Sequence, residues 1–118
     1  AVVLGVGMQV LLAGFGLNRD GGSFDPTSGT VARDKFYRAI YARLLQRMQA
    51  GDAIAGSNFW AWGGRGRTTN PDFMWKAGDP FTGDPPQEAQ GLFSLFDSDA
   101  STLQVVSDHA AAVQALQP

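Results

Sequence analysis

The order of elements along the chain constrains its fold more than any other feature. Gln9–Ala13 is a short apolar run leading to Gly14-Phe15-Gly16, as expected of a strand buried on both faces. Asn18–Gly29, with Asn-Arg-Asp-Gly-Gly, Asp25-Pro26 and Ser28-Gly29, has the composition of a loop. A helix is predicted from about Val31 to Ala50. Tyr37, Ile40, Tyr41, Leu44 and Met48 form its apolar stripe, Thr30 stands at the N-cap and Gly51 at the C′ position. Lys35, Arg38, Arg43 and Arg47 lie mostly away from that stripe, on a solvated face. A second strand is predicted over about Ile54–Trp62, followed by a long Gly- and Pro-rich stretch, Gly63–Phe93, with little periodicity. Ser101–Leu116 closes the chain as a helix with Leu103, Val106, Ala110 and Val113 on one side, and Asp97, Ser98 and Asp99 offer caps at its start. Strand, helix, strand, helix is a βαβα unit: an α/β fold with parallel strands and right-handed crossovers. Two parallel strands cannot cover both faces of their own sheet, so this order calls for more sheet from elsewhere.

Composition removes several alternatives. A length of 118 residues with 44% hydrophobic and 17% charged residues describes a single globular domain. A net charge of −2 leaves no basic excess to engage phosphates, which argues against a nucleic-acid partner. The absence of cysteine excludes disulfides and thiolate metal sites. Ala1–Leu17 is apolar and uncharged, but it has no basic leader, contains Gly5, Gly7, Gly14, Gly16 and Gln9, and is shorter than the roughly 20 residues that span a bilayer. A buried strand is expected there, with no membrane partner. The missing initiator Met and the abrupt apolar start suggest a piece of a longer polypeptide.

Few residues are suited to acid–base or nucleophilic chemistry. His109 is the one histidine; it lies among alanines in the closing helix, so a surface helical position is expected rather than a triad base or metal ligand. Of the eleven acidic residues only Glu88 is a glutamate, and it has no visible partner in Pro-Pro-Gln-Glu. Asp20, Asp25, Asp79 and Asp84 sit beside Gly or Pro, where Asp serves local turns. Paired-carboxylate catalysis needs two groups at a defined separation, and no pair stands out. Gly5-Val-Gly7 and Gly14-Phe-Gly16 lack dinucleotide-loop spacing, and Arg65 with Arg67 is a weak phosphate signal.

Ala55–Gly64, AGSNFWAWGG, carries the strongest functional signal. Alternation puts Asn58, Trp60 and Trp62 on one face, with Phe59 and Ala61 on the other. Two tryptophans in a strand serve as core or as a ligand platform. Their place at the strand's C-terminal end favours the platform, because ligand sites of parallel α/β folds gather there.

Four segments, GFGLNRDGGSFDP (Gly14–Pro26), AGSNFWAWGG, GDPPQEAQGL (Gly83–Leu92) and FDSDASTL (Phe96–Leu103), together resemble the C-terminal part of endo-β-1,4-mannanases of glycoside hydrolase family 5. The resemblance runs from about Leu11 to Val106 and leaves residues 1–10 divergent. It implies that the whole chain, 1–118, is part of one catalytic domain: the last two βα units of a (β/α)8 TIM barrel. It further implies a secreted protein that acts on mannan-type polysaccharide without cofactor or metal.

Enzymes of this kind are retaining, with an acid/base Glu on the fourth strand and a nucleophile Glu ending the seventh. The fourth strand is not in this sequence. Where Leu-Glu-Glu-Phe-Gly is expected, the chain reads Leu12-Ala13-Gly14-Phe15-Gly16, so Gly14 holds the nucleophile's place. Glycine cannot attack an anomeric carbon, and the chain by itself is expected to be inactive. The usual Lys-Pro lead-in is missing, and Arg65 stands where Glu is common. By the same resemblance Trp60 stacks under the sugar at the cleavage point, Trp62 neighbours it in the cleft, and Asn58 supports the site from deeper in the barrel. Two other readings remain open: a non-catalytic glycan-binding module using Trp60 and Trp62, and a structural part-barrel that self-associates or needs a partner chain.

Overall fold

The structure, a computed structural model, describes residues 7–116. Gly5 and the other residues before Gly7 lie outside the described residues. The elements are β1 (Val10–Phe15), a 3-10 turn (Asp20–Gly22), α1 (Val31–Gln49), β2 (Ile54–Phe59), β3 (Trp62–Gly64), β4 (Leu95–Phe96) and α2 (Ala100–Gln114). β1 pairs with β2 and β3 with β4, both parallel. The chain is thus α/β with parallel strands, as its element order requires.

The core forms where α1 and α2 meet the end of the β1–β2 pair. Tyr37, Tyr41, Leu95 and Val105 are buried there, with Phe15, Phe36, Leu44 and Phe59 packed around them. Phe15 meets Tyr37 and Tyr41 edge-on at 5.3 and 5.7 Å between ring centroids, a favoured aromatic geometry. Burial pushes both tyrosine hydroxyls up to about 12, so they remain neutral donors. Helix α1 follows its sequence closely: its apolar stripe faces inward, Lys35, Arg38, Arg43 and Arg47 face solvent, and Gly51 (φ 86°) ends it. The Gly51 N–H donates to the Met48 carbonyl at 3.0 Å, satisfying one of the helix's free carbonyls.

Both expected helix caps are corrected. Thr30 occupies the N-cap position of α1 but makes no capping bond; Asp20, from the 3-10 turn, accepts from Val31 N–H at 2.8 Å and Ala32 N–H at 3.0 Å. These two bonds at a helix start hold the Asp20 carboxyl below its ordinary range. Asp99 stands at the N-cap of α2 but also makes no capping bond, because its carboxylate is committed elsewhere. The α2 stripe is rotated from the expected one. Thr102 and Val105 are buried and Ala110 is exposed, because Thr102 bonds Asp34 of α1 and turns the helix toward that contact.

Both strands also depart from expectation. β1 is not buried: Val10, Leu11 and Leu12 are 63%, 52% and 37% exposed, since among the described residues β2 is its only strand neighbour. β2 stops at Phe59 because the backbone changes partners. Trp60 N–H still donates to Phe15 of β1 at 2.7 Å, whereas Ala61 donates to Phe93 and accepts from Leu95. Trp62 therefore begins β3. The segment Gly63–Phe93 lacks helix but is bonded throughout. Gln90 N–H donates to the Phe73 carbonyl, Asn70 and Lys76 N–H bond the Asp79 carboxylate, and Gly91 N–H and Ser94 Oγ bond that of Asp84. Asp25 and Asp79 act in turns as their sequence contexts predict, while Asp84 is buried. No described helix is long and apolar enough to cross a membrane.

Candidate active-site cleft

A β-bulge shapes the end of β1. Ala13 pairs with Asn58 and Phe15 with Phe59, leaving Gly14 as the extra residue at φ 71°. A side chain is disfavoured at that φ, yet a Cβ on Gly14 would meet no atom within 4 Å. Gly14 therefore faces open space at the mouth of the strand pair. Gly16, two residues on, touches the next element: a Cβ there would lie 2.5 Å from the Trp60 carbonyl oxygen. Only glycine permits this approach. The same carbonyl accepts the Tyr37 hydroxyl at 3.2 Å, and the Trp60–Ala61 peptide is cis.

Gly14, Gly16, Trp60, Pro85, Glu88 and Phe93 line one cavity of about 430 Å³. Trp60 is 42% exposed, so its indole is available to a ligand. Glu88 reaches this cavity because its loop is held. The buried Gln90 amide donates to the Pro85 and Glu88 carbonyls at 2.7 and 2.8 Å, and its oxygen accepts from Thr82 Oγ1. Glu88 is a lining residue that sequence reading passes over, since its place in the cavity depends on a loop with no periodic pattern.

The predicted site residues do not all converge. Asn58, Trp60 and Trp62 share exposure, as alternation predicts, and Phe59 and Ala61 turn inward. Only Trp60 lines the cavity with Gly14. Asn58 lies back on β2 opposite Ala13, and Trp62 belongs to β3, outside the cavity. Gly14 stands where the nucleophile is expected and offers no carboxylate. His109 is half-buried and stacks on Tyr41 at 4.1 Å, away from the cleft. Among the described residues no group of three His, Cys, Asp or Glu is placed to hold a metal.

Arg67 is structural. It donates to the Gly64 and Gly66 carbonyls and to Asp97, and it covers the Phe96 ring at 4.1 Å. Its bond holds the Asp97 carboxyl below the ordinary range. Beneath the cleft two buried arginines bind its walls together. Arg33 donates to the carbonyls of Leu17, Leu92 and Ser94 at 2.8–2.9 Å. Arg19 donates to those of Ser28 and Ser94, and pairs with Asp99. The loop after β1 and the return of the long loop are thereby fixed relative to each other. A larger concavity, about 490 Å³, lies at the N-terminal ends of both helices. Its acids Asp34 and Asp99 are already engaged, by Thr102 and by Arg19 with Phe96 N–H.

This architecture recurs in solved structures. The glycoside hydrolase family 5 mannosidase from Rhizomucor miehei superposes with a TM-score of 0.77 at 28% identity, over 90% of this chain and 26% of that chain. A Glu-to-Ala mutant of the R. miehei mannosidase gives the same TM-score and identity over 27% of its length. Another Glu-to-Ala mutant, in complex with mannosyl-fructose, gives a TM-score of 0.74 at 26% identity. The chain spans about a quarter of the length of these proteins. No curated protein matches it. Residues 3–118 match the family model described as GH family 5 β-mannosidase-like. With that match over nearly its whole length, the chain belongs to the β-mannosidase-like members of glycoside hydrolase family 5.

Proposed function

We propose that this chain is a fragment or degenerate form of a retaining endo-β-1,4-mannanase, keeping the sugar-stacking part of the cleft without hydrolysing mannan. The observation that supports this is the shared cavity of Trp60 and Gly14. An exposed indole there suits the flat face of a pyranose ring. The neighbouring position that would attack the sugar is glycine. A retaining mechanism needs two carboxylates about 5–5.5 Å apart, and among the described lining residues Glu88 is the only acid. An extracellular location belongs to the same proposal on grounds of resemblance.

Titration with mannohexaose, followed by tryptophan fluorescence, tests this reading. A saturable change is expected, lost in Trp60→Ala, with no release of reducing sugar from mannan. An unresponsive wild-type chain, or a Trp60→Ala variant that responds normally, refutes it.

A second reading, a part-barrel completed by further strands, is supported by the exposed β1. An open strand edge and apolar side chains favour association. Self-associated chain is expected on sizing, and a stable monomer counts against it.

A further inference from the structure

Strand β1 leaves one of its edges open. Among the described residues β2 is its only strand neighbour, and the Val10 N–H donates to the carbonyl of Ala53, just before β2, at 2.8 Å. Backbone groups of successive strand residues point to opposite sides, so the N–H and C=O of Leu11 project from the open edge. Strand edges are ordinarily protected by charge, by proline or by a bulge. Over Gln9–Ala13, β1 has none of these. No charged residue and no proline stands between Gly7 and Asn18, and the Gly14 bulge comes after this segment. The other register shift inserts Ala55 into β2, not a residue into β1. Val10, Leu11 and Leu12 present exposed aliphatic side chains along the same stretch. β2 is less open. Its Gly56 and Ser57 are partly covered and share a cavity of about 360 Å³ with Met48 of α1 and with His109 and Val113 of α2.

An uncharged aliphatic edge is complementary to a copy of itself. A two-fold axis through Leu11 sets β1 antiparallel to the β1 of a second chain. Opposed positions in an antiparallel ladder add to a constant, so Leu11 faces Leu11 of the second copy and Val10 faces its Leu12. The two Leu11 residues then exchange both N–H···O=C bonds, which pairs the open backbone groups. Aliphatic side chains meet aliphatic ones, and no like charges oppose each other. Such an isologous contact closes on itself, giving a four-stranded sheet with β2 outermost on both sides. Adding β1 to the β2 edge of another copy is heterologous, and it continues to grow unless its rotation closes a ring.

We propose that β1 is a docking edge for the β1 of a second copy of this chain, centred on Leu11. The edge contact rests on the part-barrel reading under Proposed function and gives that association a defined place.

Light-scattering sizing of the full chain, together with oxidation of single-cysteine variants, tests it. Wild type is expected at twice the mass of one chain. Leu11→Lys is expected to lose this association and run as a monomer, because it sets two ammonium groups across the axis. Leu11 is exposed, so the circular dichroism of this variant is expected to match wild type. The chain has no cysteine, so Leu11→Cys reports this contact alone. Cα atoms of an opposed hydrogen-bonded pair lie about 5.5 Å apart, within disulfide range, and mild oxidation is expected to link most of the chain into covalent dimers. Ala55→Cys, on β2, is expected to stay unlinked under the same conditions. The cysteine variants decide the matter if Leu11→Lys does not fold. A monomeric wild type overturns the edge contact and the part-barrel reading together. If wild type associates but folded Leu11→Lys does too, or Leu11→Cys links no better than Ala55→Cys, the edge contact is overturned and the part-barrel reading stands.

Discussion

Arg19 and Asp99, eighty positions apart, meet in a buried two-pronged ion pair, with Nη1 to Oδ1 at 2.9 Å and Nη2 to Oδ2 at 2.5 Å. The pair ties the loop after β1 to the start of α2, and Arg33 stands 3.7 Å from the same carboxylate. Asp99→Ala would leave two buried guanidinium groups without their shared anion. Removing one partner of such a pair is expected to cost about 3–5 kcal/mol. Urea denaturation measures this. A loss below about 1 kcal/mol, the size of an exposed pair, would show that the cluster is not a stabilising clamp.

The contact between Gly16 and Trp60 makes a sharper prediction about the cleft. Gly16→Ala forces its new methyl against the Trp60 carbonyl, which Tyr37 already holds. Overpacking of this kind costs about 1–3 kcal/mol, and here it is expected to displace Trp60. The variant is expected to lose the fluorescence response to mannohexaose. Gly7→Ala, where a Cβ meets nothing, is expected to retain it. Equal responses from the two variants would separate the backbone contact from binding.

Gly14→Glu addresses the place of the expected nucleophile. The site has room for the side chain, so the cost comes from φ 71° alone, about 1–2 kcal/mol. The variant is expected to fold with that modest loss and to release no reducing sugar from mannan, because the proposed retaining mechanism needs a second carboxylate beside the added one. Measurable hydrolysis would mean that Glu88 acts as the second carboxylate.

His109 is expected to give stability a pH dependence. Burial against α1 lowers its pKa from the ordinary value of 6.5, while the unfolded chain keeps that value. The unfolded state then takes up the proton first as pH falls. Stability is full above about pH 6.5, declines as pH drops below it, and levels off under the lowered folded pKa. His109→Phe keeps a ring on Tyr41 and is expected to flatten this region of the curve. Thermal melts across the range check it; an unchanged slope would assign the dependence to other groups.

Helix α1 was legible in the sequence because its signals are local. Tyr37, Tyr41, Leu44 and Met48 recur at the helical period, and Gly51 ends the run where a left-handed residue is needed. The second strand was legible as far as Phe59 for the same reason. Its continuation to Trp62 fails because Ala61 exchanges the β1 neighbour for Phe93 and Leu95, over thirty residues downstream. Thr30 likewise has the chemistry of a cap, but Asp20 reaches Val31 and Ala32 first from eleven residues upstream.

The sequence by itself determined the alternation of a strand, α1, a second strand and α2, the parallel pairing of β1 with β2, and the exposed face of Asn58, Trp60 and Trp62, but not the short β3–β4 pair. These follow from residue periodicity and from the identity of single side chains. Only the tertiary structure decided that Trp60 lines the cavity while Trp62 does not, that Glu88 lines the same cavity as Gly14, and that Arg19 and Arg33 are buried. The physical reason is the largely irregular stretch from Trp60 to Asp99, with only the short β3 and β4 inside it. It has no repeating pattern, and hydrogen bonds between distant residues set its path.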